Sequence, residues 1–377
     1  MISFRRLAAV SRKEGIHIVR DWRSLTLAIA IPILLILLYG YALTLDVKNV
    51  PVQVWDRSRT PESRLFLSHL EGSPYFVLVG FCDSYTAIRQ ALETGSAMVA
   101  LVIPADFADR LPTASPRPIQ VLIDGSDANT ARLVLNYVEL IALEFGMRIT
   151  SQLHPIGGGR ISPAVELKPR VWYNEEMKSQ NAILPGIIAI VLMVIAAMLT
   201  SVTIAREWET GTMEQLISTP IRPSELIFGK TLPYMGIGML DVGIALGMSI
   251  WVFGVPFRGS PALLFLMAAV FLTGALFLGM TLSIVLKSQV LANQLAIAIG
   301  FLPTLMLSGF VFAIWNMPRP LQWLTMLLPG RYFITILRGI VLKGVGWEVL
   351  WIEAVFLLVY AACFITVAHR KLKLELE

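Results

Sequence analysis

The sequence predicts an α-helical polytopic membrane protein with six transmembrane helices and an α/β extracytoplasmic domain inserted between helices 1 and 2. Three observations predict it. Of 377 residues, 56% are apolar and 15% charged, where a soluble domain carries roughly a quarter charged residues. The mean hydropathy is +0.69. The apolar residues gather in six blocks, each near the roughly 20 residues needed to cross about 30 Å of hydrocarbon. Between the first block and the other five lies a stretch of about 130 residues with ordinary polarity, enough for a domain of its own.

The candidate spans are Leu25–Leu45, Ala182–Ile204, Leu226–Gly254, Ala262–Leu286, Val290–Phe312 and Val349–Ala368. The first block is too long for the h-region of a cleaved signal peptide and reads as an uncleaved anchor. Ahead of it stand Arg5, Arg6, Arg12, Lys13, Arg20 and Arg23. Basic residues beside a first span stay inside, so the N-terminus is expected in the cytoplasm. Six crossings return the basic end, His369 to Lys373, to the same side. Arg319, Arg331, Arg338 and Lys343 depart from this rule, because the topology places them outside. Within residues 1–24, Phe4, Leu7, Val10, Ile16, Ile18 and Val19 alternate with arginine and lysine, the pattern of an amphipathic helix on a membrane surface. The organisation is therefore an amphipathic connector (1–24), helix 1 (25–45), the inserted domain (46–178) and helices 2–6 (179–377). The last region contains a cytoplasmic loop (205–225) and an outer segment (313–348).

In the insert, short β-rich runs alternate with helical ones. Strands are expected at Val52–Trp55, Tyr75–Gly80, Met98–Ile103, Ile119–Ile123 and Glu166–Tyr173. Helices are expected at Pro61–Leu70, Tyr85–Glu93, around Phe107 and over Ala128–Gln152. Such alternation predicts an α/β layer fold. The run Asp124-Gly-Ser-Asp127-Ala-Asn129 resembles a calcium loop only faintly, since Leu135 stands where a bidentate glutamate is needed. A strand end, a turn and a helix cap account for it.

Several function classes are excluded or weakened. Cys82 and Cys363 are too few for a disulfide framework, and His17, His69, His154 and His369 have no zinc spacing. The formal charge of +5 flanks apolar segments, so it reports topology and no nucleic acid is implied. Gly229-Lys230-Thr231 resembles the end of a phosphate-binding loop, but Ser224 stands where a glycine is required. Leu307-Ser-Gly309 is followed by Phe310 and Val311, which breaks its likeness to an ATPase signature. No nucleophile–base pair or pair of hydrolytic carboxylates is visible. The chain is expected to be no enzyme and to hold no cofactor or metal.

Polar residues at unusual places remain. The loop between the second and third spans runs from Arg206 to Glu225. Met213, Leu216 and Ile217 mark one face of a short helix bounded by Gly211 and Pro220. Arg206 and Glu207 are candidates for ionic contacts, and Gly211 for a tight turn. Thr212, Glu214 and Gln215 lie on the helix, whose apolar face suits a groove on a soluble partner. An ordinary polar connector is the other reading. Asp241 is the only carboxylate well inside a span, an expensive placement. With Asn293 and Gln294 it forms a candidate translocation path, or else it bonds a neighbouring helix.

Arg206-Glu-x-Glu-x-Gly-Thr-x-Glu-Gln-Leu, followed by Thr219-Pro and Gly229-Lys, resembles the first cytoplasmic loop of type-2 ABC exporter permeases. Leu307-Ser-Gly-Phe310, Met317-Pro, Leu328-Pro-x-Arg-Tyr332, Arg338-Gly and Leu342-Lys-Gly344 resemble the same family's C-terminal region. The likeness spans the chain and includes the large insert, as in the bacterial YbhS/YbhR/YhhJ group. The resemblance implies a homo- or heterodimer of permeases in the inner membrane. Each permease would bind a cytoplasmic ATPase subunit that holds the ATP and magnesium, and the insert would meet a periplasmic adaptor (membrane fusion) protein. It further implies that the N-terminal helix and the Arg206–Pro220 loop touch the ATPase and that the second and fifth spans line the exit path. The segment with Pro329, Arg331, Tyr332 and Arg338 would form re-entrant helices outside, where Pro318, Pro320, Pro329 and Gly330 break a continuous span. Export of a hydrophobic or amphipathic compound, or of an ion, leads the functional readings. A mechanical transmitter that carries nothing and an integral membrane enzyme are the alternatives.

Overall fold

The computed structural model describes residues 3–42, 49–110, 119–126, 128–153, 178–312 and 314–372. The chain divides into two compact units, Leu45–Arg170 and a second formed by Met1–Thr44 with Val171–Glu377.

The larger unit opens with α1 (Phe4–Arg20) and α2 (Trp22–Ala42). It continues after the insert with α7 (Ser179–Ser201), α8 (Thr203–Glu209) and α9 (Thr212–Ile217). Three long apolar helices follow, α10 (Pro223–Trp251), α11 (Pro261–Leu286) and α12 (Gln289–Leu307). A single 3-10 turn (Ile314–Asn316), α13 (Arg319–Thr325) and α14 (Pro329–Arg338) lead to a π turn (Gly339–Lys343) and α15 (Trp347–Lys371). Among the described residues, five stretches are long and apolar enough to cross a bilayer: α7 with α8, α10, α11, α12 and α15. Helix α2 contributes a shorter apolar stretch, Ala28–Tyr41. The pair formed by α13 and α14 with its π turn is bent by 77°. Helix α7 is the core element, packed by α2, α10, α11, α12 and α14. Its buried side includes Leu184, Ala189, Leu192 and Ala197.

The expected fifth span, Val290–Phe312, is shorter in the structure. Helix α12 stops at Leu307, and Gly309 turns left-handed at φ 83°. Phe310 then folds back so closely on Gly186 that a β-carbon there would lie 2.0 Å from its ring. Hydropathy extends through this turn because the side chains remain apolar while the backbone leaves the helix.

The smaller unit contains β1 (Val50–Asp56), α3 (Pro61–Glu71), β2 (Phe76–Phe81), α4 (Tyr85–Glu93), β3 (Val99–Ile103), α5 (Phe107–Arg110), β4 (Gln120–Ile123) and α6 (Ala128–Leu153). The sheet order is β2-β1-β3-β4, with β1 parallel to β2 and β3, and β4 antiparallel to β3. Val50, Val52 and Val54 point to one face, where Phe66 of α3 and Val134 and Phe145 of α6 cover them. Ile88 of α4 covers Ala100 and Val102 on the other. With both faces occupied, β3 is buried at every residue, and its sequence accordingly reads as an unbroken apolar run. Thr60 and Ser84 cap α3 and α4 by accepting from Ser63 N and Ala87 N. Asp124 accepts from the hydroxyl and N–H of Ser126, bonds that hold its carboxyl below its ordinary pKa. That is the turn geometry expected of this run; Asp127 and the expected strand Glu166–Tyr173 lie outside the described residues.

Candidate functional site

At one end of the larger unit, α8 and α9 continue the helix α7 through a break. Helix α7 ends at Ser201, and the hydroxyl of Ser283 on α11 accepts from Ile204 N (3.0 Å) and Ala205 N (2.9 Å). This fixes the bend to the neighbouring helix. The turn between α11 and α12 clamps α8 from the side. Glu209 accepts from Gln289 N (2.8 Å) and Nε2 (2.5 Å), and Arg206 Nε donates to Gln289 Oε1 (3.4 Å). Lys287 lies over the Trp208 ring at 4.3 Å. Arg206 Nη1 also donates to His17 Nε2 at 2.6 Å, which reaches α1. Gly211 is left-handed at φ 73° and starts α9, a conformation that costs a side chain about 1–2 kcal/mol.

The orientation of α9 differs from the sequence expectation. Met213 is fully buried and packs with Ile204, Leu226, Ile227 and Met280, with Leu216 and Ile217 at the margin. The apolar face is thus used inside this chain, because the bundle end offers an apolar floor within one turn of α8. The exposed surface is polar: Glu214, Gln215, Ser218, Thr219 and Pro220.

Glu207 also turns inward rather than outward, and the structure explains why. Lys230 Nζ on α10 donates to Glu207 Oε1 (2.8 Å) and to Glu14 Oε2 of α1 (3.1 Å). Tyr234 donates its hydroxyl to Glu14 Oε1 (2.9 Å). The Thr212 hydroxyl donates to Glu207 Oε2, and Lys13 stands 3.5 Å from Glu207 Oε1. Glu14, Glu207 and Lys230 are all buried. One turn earlier on α10, Glu225 accepts from Ser3 N (2.7 Å) and pairs with Arg6 (3.6 Å), while Arg6 also donates to the Pro220 carbonyl. Between these ties α1 meets α10 at Gly229, where a β-carbon would lie 2.8 Å from Val10 Cβ. Glycine is required there by the closeness of the two helices. Sequence reading singled out neither Glu14 nor Lys230 as a site residue. Their signals were present: Glu14 is the sole acid in the first twenty residues, and Lys230 the sole cation in Leu226–Gly254.

Two cavities adjoin this end. A groove of about 400 Å³ between α2, α7 and α12 is almost wholly apolar, with Ile31, Leu35, Ile187, Val191, Val194, Ile297 and Phe301 in its wall. A second cavity of about 250 Å³ shares Ala28, Met198 and Leu199 with it and adds His17, Asp21, Arg206, Tyr234 and Asn293. Of the residues expected along a path, Asn293 lines the second cavity, whereas Asp241 and Gln294 line neither. Asp241 is buried on α10, and both its oxygens lack a hydrogen-bond partner among the described residues. Gln294 is exposed on α12.

In the bent α13–α14 region, Pro329 starts α14. Arg331 Nη1 donates to Thr325 Oγ1 (2.6 Å) and Tyr332 donates to the Met326 carbonyl (2.8 Å). Tyr332 stacks on Phe356 at 4.7 Å, and Arg338 lies half-buried at the end of α14. These residues tie α13 to α14 and α14 to α15; they do not meet α8 or α9.

The chain matches the family model described as ABC-2 family transporter protein over residues 22–370. It is similar to the probable multidrug ABC transporter permease YbhS of Escherichia coli K12, with 36% identity over 378 residues, covering 100% of this chain and 99% of the relative. The probable multidrug ABC transporter permease YbhR of the same strain is 28% identical over 349 residues, 92% of this chain and 93% of the relative. The inner membrane transport permease YhhJ is 28% identical over 285 residues, 74% of this chain and 73% of the relative. With its long apolar helices and a family match over most of its length, the chain is a multi-pass membrane permease that belongs to the ABC-2 transporter family.

Proposed function

We propose that this chain is the membrane-spanning subunit of an ATP-driven exporter that moves a hydrophobic or amphipathic compound out of the cell, using ATP hydrolysed by a separate subunit. The observation that carries the reading is the groove between α2, α7 and α12. Its apolar wall suits a lipophilic cargo, since removing apolar surface from water contributes roughly 25 cal/mol per Å². The adjoining cavity, mostly apolar but with His17, Asp21 and Arg206 in its wall, suits the head of an amphiphile. The similarity to YbhS and YbhR, named as probable multidrug ABC transporter permeases, supports the same cargo class.

The basic flank Arg5 to Arg23 supports a cytoplasmic location for α1, α8 and α9. On that orientation the chain sits in a bacterial inner membrane with both termini inside and the α/β unit in the periplasm, facing an adaptor protein. The α13–α14 region lies outside. A second permease, identical or homologous, completes the dimer. The cytoplasmic ATPase, which binds the ATP and magnesium, docks on the polar face of α9 around Glu214 and Gln215, next to Pro220.

The test is ATP turnover by the purified permease–ATPase complex in nanodiscs, titrated with a lipophilic cationic dye such as rhodamine 6G. The expected result is co-purification of the two subunits and dye-stimulated hydrolysis, both weakened by Glu214→Lys with Gln215→Lys. Turnover indifferent to apolar compounds, or docking unchanged by both lysines, contradicts the assignment.

A further inference from the structure

We propose that Lys230 is a positioning residue that joins α1, the α8–α9 segment and the first turns of α10 into one rigid lever. This rests on the coupling role given above to α9, and concerns how a push on α9 reaches the spans. Two carboxylates from different helices, Glu14 of α1 and Glu207 of α8, meet on the one ammonium group of Lys230 on α10. Thr212 at the start of α9 donates to Glu207, and Tyr234 on the next turn of α10 donates to Glu14. Lys230 is the one lysine or arginine buried among the described residues. Its side chain is 4% exposed, against 62% for Lys13, which reaches Glu207 alone. Lys13 therefore cannot replace it between the two carboxylates.

The arrangement is poorly explained by stability alone. A buried ion pair is often no more stabilising than apolar side chains of the same volume. What it adds is register. Three hydrogen-bond donors on a cation fix where two carboxylates from different helices sit, while apolar contacts permit a helix to slide or roll. The second tie, Glu225 to Ser3 and Arg6, holds the other end of α1 along the same helix. Between the two ties the close approach at Gly229 leaves α1 no room to rotate. A displacement of α9 then moves α1 and α10 together. Without Lys230, two buried carboxylates lose the cation between them, and α1 stays linked to α8 through the exposed contacts Lys13–Glu207 and Arg206–His17, which do not fix its register.

The experiment uses the permease–ATPase complex in proteoliposomes and two variants: Lys230→Met and the neutral triple Glu14→Gln, Glu207→Gln, Lys230→Met. The triple leaves no carboxylate unpaired and so keeps the test decisive if Lys230→Met does not assemble. Two quantities are read, dye transported per ATP hydrolysed and the distance between spin labels at Ala9 and Thr210, both exposed. In the wild-type protein the label distance stays fixed between nucleotide-free and ATP-bound states. In Lys230→Met and in the triple it changes, and transport per ATP falls about tenfold, a coupling loss in the usual range. Wild-type transport per ATP in either variant overturns the proposal. If the wild-type complex moves no dye, the exporter reading fails, and the label distance alone still decides whether the lever exists.

Discussion

Glu207 is the residue whose role changes most between sequence and structure. In the sequence it stands in a polar loop beside Arg206, and nothing local distinguishes an acid aimed at a partner from one aimed inward. Its direction is set by Lys230, 23 residues later, and by Glu14, some 190 residues earlier. That convergence exists only once α10 is placed against α1. Removing one member of a buried ionic group costs about 3–5 kcal/mol because it strands the others. Glu207→Gln is accordingly expected to lower the thermal unfolding midpoint of the purified permease, followed by fluorescence in detergent. Exposed Glu214→Lys is expected to leave that midpoint unchanged. Equal midpoints for Glu207→Gln and wild type would place Glu207 at the surface after all. Gly229 offers a second check. Valine there drives a branched side chain into Val10, so Gly229→Val is expected to free α1 and expose Arg12 and Lys13 to rapid trypsin cleavage in the folded protein.

At the scale of elements, what could be read depended on how far apart the deciding residues lie. The strands and short helices of the smaller unit were legible because their patterns are local: Val50–Asp56 contains the expected Val52–Trp55, and the helices open at Pro61 and Tyr85 as expected, each behind a capping residue, Thr60 or Ser84. Helix α9 was legible as a helix bounded by Gly211, but the destination of its apolar face was not. An apolar face fits a partner's groove or the chain's own core equally well, and Ile204, Leu226 and Met280 settle it for the core. Met213→Ala is expected to cost about 2–5 kcal/mol, as for other buried methionines, read as a loss of thermal stability in the isolated permease. If Met213 faces the ATPase instead, the loss appears only in binding. The end of α12 was missed for another reason. Hydropathy does not sense a backbone reversal when residues on both sides of it are apolar.

For the whole molecule, the apolar blocks were visible in composition alone, since the bilayer demands long runs whatever they pack against. The groove was not visible in composition. Its walls come from three helices far apart in sequence, and each wall residue reads simply as membrane-facing. The candidates Asp241 and Gln294 stand out because polar side chains are conspicuous in a span, whereas the walls of the groove are formed by ordinary Ile, Leu and Val. Orientation is testable independently of cargo. Ser96, exposed on the smaller unit, is expected to react as cysteine with a membrane-impermeant maleimide in intact spheroplasts, in a Cys363→Ala background. Labelling that requires lysis would invert the proposed topology.

The groove, on this proposal, carries cargo driven by ATP. Val194 lies in its wall on α7, away from α1, α8 and α9. The decisive measurement is ATP-dependent dye movement in proteoliposomes containing the permease and its ATPase, with wild-type permease and with Val194→Trp. The expected result is ATP-driven transport by the wild type and its loss when tryptophan fills the groove, with the ATPase still bound. Undiminished transport in Val194→Trp would contradict it, as would a wild-type complex that hydrolyses ATP and moves nothing.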